Sequence, residues 1–109
     1  MSHVAHIMDS HPARQAHYQP MLEQMEGSAK EVFEFVMVRH PFCSAASFLA
    51  NAFVGLALEI PVAIHGPGCL DRTNNRLFHG LIEDACFGVY WESAAREVAQ
   101  VYGINIQEV

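Results

Sequence analysis

Positive charge is scarce in this chain of 109 residues. One lysine and five scattered arginines stand against twelve acidic side chains, and the formal net charge is -6. Proteins that bind the phosphate backbone of a nucleic acid need a basic patch or stripe, and the sequence contains no such cluster. We therefore expect no nucleic-acid partner.

Long hydrophobic runs are also missing. The longest apolar run lies within residues 45–58 and is too short to span a bilayer. The N-terminus lacks the apolar segment of a signal peptide. We expect a cytoplasmic protein that does not enter a membrane.

Cysteines are few and do not form close pairs. Cys43, Cys69 and Cys86 are an odd number, and none belongs to a CxxC motif. This pattern predicts free thiols in a reducing compartment rather than a disulfide framework. Cys86, at the beginning of a predicted strand, is expected in the core.

Apolar residues, in contrast, are abundant. Hydrophobic residues make up 51% of the chain and charged residues only 17%. A chain of this length forms one core, and its few polar residues leave apolar surface that a second subunit could cover. We expect a homo-oligomer, with residues 1–19 as an N-terminal arm and residues 20–109 as a single α/β domain.

Short apolar runs alternate with longer helical patterns. The β-branched and aromatic run at 32–38 is followed by Pro41 and predicts a buried strand, although continuation of the preceding helix through it is the alternative. Further strands are predicted at 60–65, 86–91 and 104–109. Helices are predicted at 20–30, at 44–58 with Cys43 or Ser44 as its cap, from a capping Asn74 to residue 83, and from a capping Ser93 to the glycine at 103.

Strands that alternate with helices predict a parallel sheet of about four strands in three layers, with helices on both faces. Ligands of such sheets bind at the carboxyl ends of the strands. The residues expected at that edge are His40, Cys43, His65, Cys69, Trp91, Glu92 and Ser93.

Two of these residues are candidate nucleophiles. Cys43 begins a long predicted helix, where backbone N–H groups stabilise a thiolate. Cys69 follows the glycine-rich turn 66–68, which permits close approach of a ligand. A small apolar residue buried at the helix start is the alternative for Cys43, and an ordinary turn is the alternative at 66–68.

The other predicted site residues would assist. His40 and His65 could each act as a base beside a thiol, or join the two cysteines around a zinc ion, although no pair has zinc-finger spacing. Surface histidines without a role are the alternative. Trp91, Glu92 and Ser93 would line the ligand pocket, or pack in an interface. No cofactor is expected.

Three segments are similar to the DsrE-like sulfur-relay family, which includes the DsrE, DsrF, DsrH and TusBCD types. They read FVMVRHPFCSA, PVAIHGPGCL and FGVYWESAAREV. The resemblance implies a small α/β protein that forms trimers or hexamers and passes persulfide sulfur to or from a partner protein. Trp91 occupies the place of the family's reactive cysteine, so sulfur transfer would fall to Cys43 or Cys69.

A second resemblance covers the spacing of Cys43 and Cys69 together with the segment EVAQVYG. It is similar to the first cluster-binding segment of nitrogenase-like component 1 proteins and implies an iron–sulfur role. The leading hypothesis is thiol or sulfur-carrier chemistry in a homo-oligomer. The alternatives are a non-catalytic module that binds a metal, a cluster or a small ligand in the same cleft, and a structural subunit whose apolar helix assembles with partners.

Overall fold

The structure, a computed structural model, describes residues 10–59, 72–83 and 90–106. These residues form α-helices and one π-helical turn, and no strand occurs among them. The elements are α1 (His11–Leu22), α2 (Gly27–Glu34), the π-helix (Phe35–Arg39), α3 (Ser44–Leu58), α4 (Arg72–Glu83) and α5 (Tyr90–Tyr102). The predicted α/β fold, with its three-layer parallel sheet, is therefore wrong.

The run at 32–38 carried that wrong prediction. It lies in α2 and the π-helix, which continue one another, so the alternative of a continued helix is correct here. An apolar run of this length requires burial on every side, and periodicity alone does not tell a buried strand from a buried helix. Packing of α1, α3, α4 and α5 around it meets that requirement without a sheet.

The other predicted strands lie wholly or partly outside the described residues. Residues 60–65 and 86–89 lie outside the described ranges, and Tyr90 and Trp91 are the first residues of α5. Residues 104–106 have no regular structure, and 107–109 are again outside the description. Helix α5 begins three residues before Ser93, which is therefore not its cap.

The first helix begins earlier in the chain than the sequence predicts, at His11. The hydroxyl of Ser10 caps α1 by accepting the N–H of Ala13 at 3.2 Å, and Pro20 lies in the last turn of that helix rather than in the first turn of the next. The chain then turns, and α2 begins at Gly27, whose φ of 68° is readily adopted only by glycine. The predicted helix at 20–30 is thus two helices with a break between them.

Other helix predictions are confirmed. Helix α3 spans 44–58 as expected, with Cys43 as its N-cap. Helix α4 ends at Glu83 as predicted but begins at Arg72, so Asn74 lies inside the helix and is not its cap. Gly103 follows α5 with a φ of 67°, and the N–H of Ile104 returns to the carbonyl of Ala99 at 2.9 Å, which closes the helix in a Schellman arrangement.

The core is built around α2 and the π-helix. Val32, Phe33, Val36, Met37 and Val38 are completely buried. Aromatic rings connect the layers edge to face, from Tyr18 in α1 to Phe33 (5.6 Å between centroids) and on to Phe53 in α3 (6.5 Å). Helix α3 packs most extensively against α5. Within the described ranges, no helix is both long enough and apolar enough to cross a membrane.

Candidate functional site

The candidate site is the turn from residue 40 to residue 43, which connects the π-helix to α3. The N–H of His40 donates to the carbonyl of Phe35 at 2.9 Å, an i to i+5 bond of the π type. Pro41 then ends the helix, because it has no N–H and pushes His40 out of helical conformation; His40 has φ −139° and ψ 59°.

Pro41 leaves a carbonyl without its helical donor. In a π-helix the carbonyl of Val36 would accept the N–H of residue 41, which proline lacks. The hydroxyl of Tyr102, from the end of α5, donates to that carbonyl at 2.6 Å instead. The same hydroxyl accepts the N–H of Phe42 at 3.0 Å. One side chain from a distant helix therefore joins the end of the π-helix to the turn.

A second carbonyl at this helix end is also paired with a side chain. The Nε of Arg14, on α1, donates to the carbonyl of Val38 at 2.8 Å. Helix ends leave their last carbonyls without intrahelical donors, and a buried carbonyl without a partner is costly. Helices α1 and α5 thus stabilise the π-helical turn from two sides.

Phe42 is held in an unusual conformation. Its φ is 70°, in the left-handed region that bulky side chains rarely occupy, and such a residue costs about 1–3 kcal/mol. Its ring lies 4.9 Å from the ring of Tyr102 and is still 54% exposed. The bond from the Phe42 N–H and this ring contact both favour the strained conformation, so Tyr102 is the principal support of the turn.

Cys43 is an exposed residue at the amino end of α3 and carries a free thiol. Its backbone is extended, with φ −76° and ψ 169°, and its sulfur accepts the N–H of Ala46 at 3.4 Å. Its carbonyl accepts the first intrahelical bond, from Ser47 at 2.9 Å. The sulfur therefore lies at the start of α3, on a residue that solvent reaches.

Tyr102 remains protonated at neutral pH. Burial raises the pKa of Tyr102 to about 12; the N–H of Phe42 acts in the opposite direction, and the charge of the nearby Cys43 raises the pKa again. The phenol therefore keeps the proton that it donates to Val36 under physiological conditions.

His40 lies in the same turn, as predicted, and its side chain is exposed. Its ring packs 5.3 Å from the ring of Phe35, and the guanidinium of Arg39 lies 5.7 Å from that same ring. Phe35 thus supports two polar side chains at the edge of the site. His40 is available to solvent and to any molecule that approaches the turn.

Of the remaining predicted site residues that the structure describes, Glu92 and Ser93 do not join this cluster. His65 and Cys69 lie outside the described residues. Glu92 and Ser93 are exposed in the first turns of α5, whereas Tyr102 is its last residue, so about 15 Å of helix separates them from the turn. Glu92 forms an exposed ion pair with Arg96 at 2.9 Å. Trp91 belongs to the same first turn of α5.

Two residues of the site were not predicted. Neither Tyr102 nor Arg14 is among the residues that the sequence predicts at the site. Pro41 indicates in the sequence that a backbone N–H donor is missing. The side chain that donates in its place, Tyr102, is 66 positions away from Val36, and no local pattern identifies it. In the part of the chain that the structure describes, no three His, Cys, Asp or Glu side chains come together in a possible metal site.

Comparisons of the chain with family models, with curated proteins and with solved structures find no match. The resemblances to the DsrE-like and nitrogenase-like proteins therefore stay predictions from the sequence.

Proposed function

We propose that this protein acts through the Cys43 thiol, in thiol or sulfur-carrier chemistry. The observation that supports the proposal is the position of Cys43. The residue is exposed, its sulfur accepts an N–H at the start of a 15-residue helix, and it follows a turn that a distant tyrosine holds. Backbone strain next to an exposed nucleophile is typical of functional sites.

The proposed step is a transfer of sulfane sulfur. The Cys43 thiolate attacks the outer sulfur of a donor persulfide, R–S–SH. A bond forms between the two sulfurs, the S–S bond of the donor breaks, and the donor leaves as the thiolate R–S⁻. Cys43 becomes a persulfide, Cys43–S–SH, with no net oxidation, and an acceptor protein takes the outer sulfur in the reverse reaction.

The proposal does not depend on a sheet. The resemblance to sulfur-relay proteins implied an α/β fold, and this structure removes that support, so the proposal rests on Cys43 and its surroundings. His40, three residues before the thiol, is the proposed base. Cys69 and His65 stay in the proposal as a second thiol and a second base, in a segment outside the described residues.

Mass spectrometry after treatment with glutathione persulfide tests the proposal. A protease that cleaves after glutamate places the three cysteines on separate peptides, 35–59, 60–83 and 84–92. We expect the mass of one added sulfur on peptide 35–59 of the native protein, and its loss on reduction. Protein denatured before treatment is the control, because it exposes the three thiols equally.

The variant Cys43→Ser is the matched substitution. Serine is a good N-cap, so α3 keeps its first turn while the thiol is lost. We expect C43S to fold like the parent and to take up no sulfur on peptide 35–59. Sulfur uptake confined to the other two peptides, or none in the native protein, would contradict the proposal. Metal analysis and a visible spectrum of the same sample test the alternative of a metal or cluster module.

We also propose that the chain works as a homo-oligomer. The supporting observations are the apolar composition and two large exposed hydrophobic side chains, Phe42 and Ile82. Sedimentation or light scattering of the full chain measures the assembly directly. A parent protein with the mass of several chains, and an Ile82→Gln variant with a mass closer to that of one chain, would support an interface at α4. A parent protein that is monomeric at all concentrations would overturn the proposal.

A further inference from the structure

Tyr102 and Tyr18 provide a comparison within one helix bundle. Both use their hydroxyls to connect elements far apart in the sequence, and both connections involve α5. Tyr18, on α1, donates to the carboxylate of Glu97 at 2.9 Å, away from the turn. Tyr102 instead contacts the backbone on either side of Pro41, immediately before the thiol.

We propose that Tyr102 is a positioning residue that sets the conformation of the turn and thereby presents the Cys43 thiol. This inference rests on the proposed function, because the conformation of the turn matters chemically only if Cys43 reacts. Its structural basis is the double role of one hydroxyl, which donates to Val36 in place of the N–H that Pro41 lacks and accepts the N–H of Phe42.

The second of these bonds connects Tyr102 to Phe42, the residue directly before Cys43. Phe42 occupies the left-handed region, and Cys43 directly after it must be extended for its sulfur to reach the N–H of Ala46. If Phe42 returns to an ordinary φ, the chain enters α3 from another direction and the N-cap geometry of Cys43 is lost. The Tyr102 hydroxyl and ring favour the strained state, and with it the contact between the sulfur and the helix start.

The test compares Tyr102→Phe with Tyr18→Phe in the full chain. Tyr18→Phe loses the hydroxyl that donates to Glu97, and Tyr102→Phe loses the hydroxyl that bonds Val36 and Phe42, so both are expected to lower stability. The rate of alkylation of Cys43 by iodoacetamide at pH 7 is followed on peptide 35–59. We expect Y102F to slow this reaction about fivefold, the factor that corresponds to the free energy of a typical N-cap bond. We expect Y18F to leave the rate within about twofold, since its bond lies outside the turn.

Replacement of Pro41 separates positioning from stability. In Pro41→Ala the new N–H can donate to the carbonyl of Val36, so P41A should offset part of the loss of stability caused by Y102F. It supplies no acceptor for the N–H of Phe42. We therefore expect the double variant P41A/Y102F to recover stability in urea while its Cys43 alkylation stays slow.

Several outcomes would overturn the inference. They are an unchanged alkylation rate in Y102F, an equal slowing in Y18F, or a double variant that recovers the rate together with the stability. If neither Y102F nor the double variant folds, the hydroxyl serves the whole fold and the inference also fails. Failure here leaves sulfur uptake by Cys43 untouched, whereas absence of that uptake in the parent protein removes the proposed function itself.

Discussion

Tyr18 on α1 and Glu97 on α5 form a hydrogen bond of 2.9 Å between the two terminal helices of the described structure. Tyr18 is only 2% exposed, and its ring also packs edge to face on Phe33. Burial, followed by the bond to Glu97 and its negative charge, raises the pKa of Tyr18 well above its usual value. The bond attaches α1 to the bundle.

Loss of this bond should destabilise the protein. We expect Tyr18→Phe to lower the free energy of unfolding by about 1–2 kcal/mol, because Glu97 is half-buried and can recover part of its hydration. Glu97→Gln keeps an acceptor for the hydroxyl and should cost less. Urea unfolding followed by circular dichroism measures both, and a larger loss in E97Q than in Y18F would contradict this account.

Alkaline pH should weaken the fold through its buried tyrosines. The pKa of Tyr102 is about 12 in the folded protein and 10.0 for an unperturbed tyrosine. Between these values the unfolded chain releases the phenolic proton while the folded chain retains it. The contribution to stability is therefore complete below pH 10 and is lost as the pH rises through 12.

Urea unfolding between pH 8.5 and pH 12 would measure this loss directly. Y102F removes one of the titrating groups, so its stability should fall less steeply with pH over the same range. Phenolate absorbance of the native protein gives a second measurement, in which Tyr102 should ionise at a higher pH than an unperturbed tyrosine. If the stability of Y102F had the same pH dependence as that of the parent, Tyr102 would not be a source of the alkaline loss.

Gly80 marks a close crossing of α2 and α4. A Cβ at Gly80 would collide with the Oγ of Ser28 and would lie 3.1 Å from its Cβ. We expect Gly80→Ala to destabilise the protein by about 1–2 kcal/mol, because the overlap exceeds the gain of about 1 kcal/mol in helix propensity. The loss should be smaller when Ser28 is also alanine, which a double-mutant cycle in urea measures. A more stable G80A would show that the two helices are not in close contact there.

Glu59 offers a route to a more stable protein. It ends α3 with a φ of 56° and is exposed, so its left-handed backbone is not offset by packing of its side chain. Its negative charge also lies at the unfavourable end of the helix dipole. We expect Glu59→Gly to raise the free energy of unfolding by about 1 kcal/mol.

The variant Glu59→Ala separates the two effects at this position. It removes the charge but keeps the backbone cost, so its gain should be smaller than that of E59G. Thermal unfolding of the two variants beside the parent protein measures the difference. Equal stability of E59A and E59G would mean that the charge alone matters.

The parts of the fold that could be predicted are those with local causes. A capping sulfur, a stretch free of proline and a run of small and apolar residues define α3, and Gly103 ends α5 because glycine readily adopts the left-handed conformation required there. Such signals act within one helical turn. The location of the candidate site at Cys43 and His40 could be predicted for the same reason, since Pro41 interrupts the preceding element.

The identity of the run at 32–38 could not be determined in this way. It is apolar at every position except Glu34, and burial on all sides satisfies such a run equally well in a helix or in a strand. The prediction that Glu92 and Ser93 meet Cys43 failed with the sheet, because the last turn of α5, not the first, contacts the residue before Cys43.

By itself, the sequence determined the apolar core composition, the break at Pro41 and the amino end of α3, with its cysteine. Only the tertiary structure decided that the preceding run is helical, that it ends in a π turn, and that Tyr102 and Arg14 supply the missing donors. The physical reason is distance along the chain. Caps and prolines act on neighbouring residues, whereas the partner of a buried carbonyl is whichever donor the packing of the helices brings to it.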